Sequence, residues 1–282
     1  MMPSPPDNIH DIFDECVKNN SFESIAFEWY KYVAQLVLHC SSLDKSSPAI
    51  NEIKNMHYAI LIGMLNRIGR LMISVMELSK GGNFGETTSI LDRCINETCI
   101  KLMWLCHSPS EDKFNRFIAS SLKSDLKLQK NILSNIKNRG NNCLPIEDRM
   151  LKSIKKYIND SGLSKKQIQK LKNIPNMKEM IISLGMHETY YTVIMNIGSH
   201  SIHGTWSSLY KDYFELDGES VYPADHTSPT HINQYLSISV LSLTCISYFL
   251  KFIINNTDAL KGYTEILQSV HNEILKIKQL SD

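Results

Sequence analysis

Residues Leu236 to Ile254, "LSISVLSLTCISYFLKFII", run without glycine, proline or acidic residue, and their first charge is Lys251. A helix of this composition is apolar around its whole circumference, so it belongs either in a bilayer, which roughly 20 residues span, or inside a bundle of other helices. The polar residues Ser237, Ser239, Ser242, Thr244, Ser247 and Lys251 favour the bundle. The chain then has to supply enough amphipathic helices to surround this one. The expectation is a cytoplasmic protein with no membrane contact.

The rest of the sequence offers those helices. Only 12 glycines and 9 prolines interrupt 282 residues, which suits helices joined by short loops. A short helix is expected near Asn8 to Lys18, a second from Phe22 to Cys40, and a long third over "SSPAINEIKNMHYAILIGMLNRIGRLMISVMELSK", closed by Gly81-Gly82. A fourth runs from Glu86 to His107. "SPSE" (Ser108 to Glu111) reads as an N-cap serine, a first-turn proline and a capping-box glutamate, so a fifth helix opens there and continues to Gly140. "SKKQ" at Ser164 is a second capping box, "SPTHINQ" around Ser228 and Pro229 starts the apolar helix, and Asp258 begins the last. Only Tyr213 to Tyr222 reads as β structure, a hairpin turning at Asp217-Gly218. The predicted fold is all-α: a multi-helix bundle of about nine to eleven helices with one small β-hairpin. Residues 1–48 would form an N-terminal helical segment, 49–256 a helical core domain, and 257–282 a C-terminal helix.

Charge divides the chain unevenly. The formal total is +1, yet residues 113–178 hold 16 lysines and arginines against 4 aspartates and glutamates, a local net of +12 that leaves −11 for the remainder. This basic helical insertion suits a polyanion, RNA first, or a partner protein; a lysine-rich solvated face gives the same composition. The seven cysteines are scattered and contain no CxxC pair, which excludes zinc-ribbon and thioredoxin-type sites and fits reduced, buried thiols. The N-terminal "MMPSPPDNIHDIF" lacks the basic-then-apolar pattern of a secretory signal. No Walker, GxGxxG, HExxH or GxSxG motif occurs, so neither cofactor nor metal is expected.

Two helices carry candidate chemistry. On a projection of about 100° per residue, Thr192, Asn196, Ser199 and His203 line one narrow polar seam of "YYTVIMNIGSHSIHG". On the fourth helix Arg93 and Glu97 stand four apart, flanked by Ile100 and Trp104, on a helix that is otherwise largely apolar. Such a helix is expected to be buried, and its charges to pair with each other or with a further polar group. Arginine is scarce, six in the chain, which gives Arg93 weight as a bidentate or phosphate-holding group. The other reading is an exposed Arg93–Glu97–Lys101 ladder of weak i,i+4 pairs.

The R-x-x-x-E pair, a tyrosine at 190 or 191, and the later S-x-x-x-H-G resemble the bacterial domain-of-unknown-function family fifty-six-seventy-seven; Arg93, Glu97, Ser199, His203 and Gly204 are the matching residues. That likeness covers about Ile50 to Asn255 and implies an all-helical fold. More distantly, the arrangement is similar to the HEPN (higher eukaryotes and prokaryotes nucleotide-binding) helical proteins, many of them metal-independent ribonucleases of toxin and antiphage systems that work as dimers. Their hallmark arginine shortly before a histidine on one helix is missing ahead of His203, so a HEPN-like site would have to draw Arg93 from another helix.

Two functions follow. In RNA cleavage, His203 would act as general acid or base, Arg93 would stabilise phosphorane charge, Glu97 would orient one of them, and Ser199, Asn196 and Tyr191 would hold substrate. In the alternative, a non-catalytic helical binding module, the same polar residues would be a buried network that fixes helix register. A metal shared by His200 and His203 is a weaker third reading, since the two project about 60° apart.

Overall fold

The computed structural model describes residues 2–7, 9–224 and 228–281, with the side chains of 194–198 outside that description. Asn8, His226 and the side chain of Asn196 therefore lie outside the described residues. The fold is all-α with one hairpin. It opens with α1 (Ile9–Asn19), α2 (Glu23–Ser41), α3 (Asn55–Ser79) and α4 (Gly85–Cys106), followed by α5 (Glu111–Asn138), α6 (Pro145–Asp160) and α7 (Lys165–Lys170). The chain then adds α8 (Met177–Ser183), α9 (Glu188–His203), α10 (Trp206–Asp212), β1 (Phe214–Asp217), β2 (Ser220–Pro223), α11 (Ile232–Ile253) and α12 (Thr257–Ser281). It divides into two compact units, residues 1–107 with 177–282 and residues 108–176.

In the first unit α11 is the central helix, packed on α2, α4 and α12, while α3 closes against α2 and α4. Leu61, Leu65 and Ile68 of α3, Ile95, Ile100 and Leu102 of α4, and Ile246, Phe249 and Ile253 of α11 are all buried in a core that water does not reach. The serines of α11 fit this setting: Ser242 Oγ donates to Met72 Sδ at 3.7 Å, and Thr244 Oγ1 returns to the Val240 carbonyl at 2.9 Å. Both α3 and α11 are long and apolar enough to cross a membrane, and most of α11's apolar stretch is buried against its neighbours. That burial accounts for its composition by the physics of a helical core.

Several helix starts differ from the sequence reading. The third helix begins at Asn55, because the segment around Pro48 pairs with the exit of α11 instead. Asn51 N donates to Ile253 O at 2.7 Å, and Asn255 N to Ala49 O at 3.0 Å. The cap of α5 is Ser110, whose Oγ accepts from Lys113 N at 3.3 Å; Ser108 sits at φ +49° outside the helix. The apolar helix starts at Ile232, not at Ser228 and Pro229, and His231 is its cap, with Nδ1 accepting from Asn233 N at 3.1 Å. The Ser164–Gln167 box forms as expected, with Ser164 N donating to Gln167 Oε1 at 2.9 Å. The hairpin forms too, but turns one residue later than expected, at Gly218-Glu219, with Asp217 paired to Ser220 and Gly218 at φ +60°.

Residues 108–176 build their own small core from Ala119, Leu122, Ile132, Ile154, Ile158 and Ile168. Glu147 pairs with Arg139 and accepts from Leu144 N at 2.9 Å, fixing the turn between α5 and α6. Lys127, Lys130, Lys155, Lys156, Lys166 and Lys170 are exposed and have no acidic partner among the described residues. Tyr157, also exposed, follows directly on Lys156.

Candidate functional site

Helix α4 carries Asp92, Arg93 and Glu97. α9 packs along it, with α8 at one end and α10 continuing from the other. The start of α9 lies near Cys99, in the second half of α4; burial, and to a smaller extent the Cys99 thiol, raises the Tyr190 hydroxyl above its usual value. Past the end of α9, Ser208 Oγ donates to Glu86 Oε1 at 2.7 Å, and the Tyr213 hydroxyl donates to the other oxygen of Glu86. The two helices thus run antiparallel, with the His203 end of α9 toward the first turns of α4. Gly204 ends α9 at φ +53°, the left-handed cap geometry that glycine takes without strain.

The residues singled out from sequence are only partly brought together. Arg93 Nε donates to Glu97 Oε1 at 3.2 Å, and Lys101 Nζ to Glu97 Oε2 at 3.3 Å. Side-chain exposure is 15% for Arg93 and about 30% for the other two, so the expected burial is corrected to a half-buried ladder. Ile100 and Trp104 are buried as the projection required, because α4 sinks deeper into the core toward its C-terminus. His203 is exposed, with no hydrogen-bond or ion-pair partner among the described residues; Ser199 and Tyr191 are half-buried. An enclosed pocket shared by His203 and Arg93 is therefore not what the fold builds. His200 has a local role, its Nδ1 bonded to Thr205 Oγ1 at 2.8 Å across the helix end. Among the described residues no group of three His, Cys, Asp or Glu is placed to hold a metal ion.

A strongly perturbed group on α4 is one the sequence reading passed over. Asp92 is buried, and desolvation lifts its carboxyl to about 7 against a lowering hydrogen bond from Gln234. Gln234 Nε2 donates to Asp92 Oδ2 at 2.8 Å and contacts Ser89 Oγ at 2.9 Å, while its Oε1 accepts from His231 N at 2.8 Å. Asp92 Oδ1 and the buried Tyr30 hydroxyl have no hydrogen-bond partner among the described residues, and burial first, then the nearby Asp92 carboxylate, raises the Tyr30 hydroxyl. Asp92, Ser89, Asn96 and Gln234 line a cavity of about 540 Å³ at the start of α4.

One wall of that cavity is held by a close backbone approach. Gly85 N donates to Ser228 O at 2.6 Å, and a Cβ at residue 85 would stand 2.4 Å from Pro229 O. Thr230 Oγ1 then bridges Thr88 Oγ1 at 3.0 Å and Ser79 Oγ at 2.9 Å. A signal for this site did exist: Gly85, Ser89, Asp92 and Asn96 fall on one line of α4, small or polar throughout. Its partner Gln234 lies 142 residues away, beyond the reach of any local pattern.

Residues 58–221 match the family of unknown function DUF5677. No curated protein and no solved structure matches the chain.

Proposed function

The chain belongs to the DUF5677 family, whose function is unknown, and from that premise we propose that it acts on RNA as a binding protein, drawing the polyanion in through residues 108–176. The observation that carries this reading is the set of exposed lysines on α5 to α7 that have no acidic partner among the described residues, in a segment of net charge +12 over residues 113–178. Lysines left unneutralised release condensed counterions when they meet phosphates, which supplies most of non-specific nucleic-acid affinity. Exposed Tyr157 beside Lys156 adds a flat ring on which an unpaired base can stack. The half-buried Arg93–Glu97–Lys101 ladder suits a structural role within such a binding module, as i,i+4 pairs of this exposure do elsewhere.

Cleavage is the second reading, favoured by the open position of His203 at the end of the helix laid along α4. In that reaction the His203 imidazole takes the proton of a 2′-hydroxyl and the 2′-oxygen bonds to phosphorus. The bond from phosphorus to the 5′-oxygen breaks, leaving a 2′,3′-cyclic phosphate; the departing 5′-oxygen takes a proton from water, and the His203 imidazolium returns its own to solvent. A toxin or antiphage role depends on this step. Purified protein incubated with tRNA and total RNA in chelator decides between the readings. Cleavage that disappears in His203→Ala establishes the ribonuclease; retained binding with no cleavage in either protein leaves the binding module.

A further inference from the structure

We propose that the outer edge of β1 takes up an extended segment of a partner protein as a third strand, and that this segment alternates apolar residues with lysine or arginine. The surface uses none of residues 108–176 and does not rest on the RNA reading.

The free edge follows from the pairing within the hairpin. Phe214 pairs with Pro223, Glu215 with Tyr222, Leu216 with Val221 and Asp217 with Ser220. Ala224 N donates to Tyr213 O at 2.9 Å. Tyr213, Glu215 and Asp217 therefore turn their backbone groups toward β2, and Phe214 and Leu216 turn theirs outward. On β2 the outward positions are Val221 and Pro223, and a proline, which has no N–H, closes that edge to a further strand. β1 carries no such block. Among the described residues none hydrogen-bonds the outward backbone groups of Phe214 or Leu216. Two strands alone are marginal in water, and a third stabilises them.

The two faces of the hairpin differ in character. Leu216 and Val221 stand side by side on one face, 49% and 65% exposed. Phe214 continues that face onto α10, where the Trp206 and Tyr210 rings lie 5.3 and 5.7 Å from its own. Both of those rings are exposed, and apolar groups gathered on a surface in this way mark a protein contact. Glu215 and Asp217 stand on the opposite face. Residues 206–223 hold four acidic residues against Lys211, a net of −3. An added strand thus meets apolar side chains at Phe214 and Leu216 and carboxylates at Glu215 and Asp217. In antiparallel addition the carboxylates take the non-hydrogen-bonded positions, where side chains across the ladder come closest.

Charge chooses the occupant. A second copy pairing β1 with β1 in either of the two longest registers sets Glu215 against its own counterpart or that of Asp217. Like charges directly opposite are unfavourable. Lysine or arginine at those positions turns each repulsion into an attraction. The backbone ladder then supplies affinity, and the alternation supplies selection.

Fluorescence anisotropy with a short labelled peptide alternating lysine and valine, titrated with the full chain, tests the assignment. It should bind saturably, one peptide per chain. It should bind roughly ten-fold more tightly than the same peptide with glutamate for lysine, or with its valine nitrogens methylated. Methylation keeps the charge and removes the ladder donors. Leu216→Pro deletes one outward N–H while leaving the bonds to β2, and should weaken the lysine peptide roughly ten-fold. Asp217→Lys should weaken it similarly and strengthen the glutamate peptide. Leu216 and Asp217 are exposed, so the melting temperature of the helical bundle should hold in both variants. Absence of binding by the lysine peptide overturns the proposal. So does equal binding of the glutamate or methylated peptide, or unchanged affinity in either variant. A free chain that sediments as a dimer, and that Leu216→Pro returns to a monomer, overturns it too, because the edge then belongs to a second copy.

Discussion

Gln234 joins the cap of α11 to the buried face of α4: one end of its amide accepts from His231 N at 2.8 Å, and the other donates to Asp92 Oδ2 at 2.8 Å. A single side chain thus fixes where the central helix begins and how a desolvated carboxyl is oriented.

The pH dependence of stability follows from that burial. Asp92 titrates at about 7 in the fold and near 3.8 in the unfolded chain. Between those values the folded state holds a proton that the unfolded state has released. Stability from this group therefore falls as pH rises through that window, by at most about 1.4 kcal/mol per unit, and is constant above it. Asp92→Asn removes the effect. Urea unfolding of both proteins from pH 4 to 8 should show the variant gaining on the wild type up to pH 7 and then holding its lead. A difference independent of pH contradicts the assignment.

Gly85→Ala should destabilise by about 1–3 kcal/mol, the cost of forcing a methyl into a packed interior. The new Cβ would meet the Pro229 carbonyl at 2.4 Å, and backbone cannot step aside as a flexible side chain does. Gly81→Ala, with its nearest contact at 3.5 Å to the Asn83 side chain, should stay within about 0.5 kcal/mol of wild type. The two midpoints in urea give the comparison directly.

The Arg93–Glu97 pair should contribute little. With 15% and 31% of the two side chains exposed, water screens the attraction, and a double-mutant cycle with Arg93→Ala and Glu97→Ala should return a coupling below about 1 kcal/mol. A coupling of several kcal/mol would restore the interior ion pair that the helix projection suggested.

Thiol reactivity should follow burial. Cys143 is exposed, Cys94 half-buried and the remaining five buried. Burial pushes the Cys40 thiol up to about 12 and also raises that of Cys245, so neither supplies thiolate at neutral pH. A native protein treated with an aromatic disulfide reagent should therefore release one fast equivalent, lost in Cys143→Ser.

The helices could be read from the sequence because their signals are local. Ser164 and Gln167 are three residues apart, and Gly218 marks its own turn. The hydrophobic face of α11 shows in any window across it. Two helix starts slipped where a non-local partner decided them: Asn51 leaves the helix for Ile253, and Ser228 for Gly85. The candidate site was harder still. Arg93 and Glu97 drew attention as a charged pair on an apolar helix, yet neighbouring Asp92 is the residue sealed from water. The projection resolves faces but carries no depth, and nothing near Asp92 in sequence announces Gln234 or Tyr30. For the same reason the seam through Ser199 and His203 could not be assigned to surface or interior before the packing of α9 on α4 was known.

RNA affinity measured against salt tests the central reading most directly. Fluorescence anisotropy with a single-stranded RNA should give a logarithm of affinity that falls linearly with the logarithm of salt, by about 0.7 per phosphate neutralised. Lys155→Gln, Lys156→Gln and Lys166→Gln should each lower that slope by about 1 or somewhat less, and His203→Ala should leave it unchanged. Affinity that is absent at low salt, or that persists undiminished when all three lysines are replaced, would contradict the account.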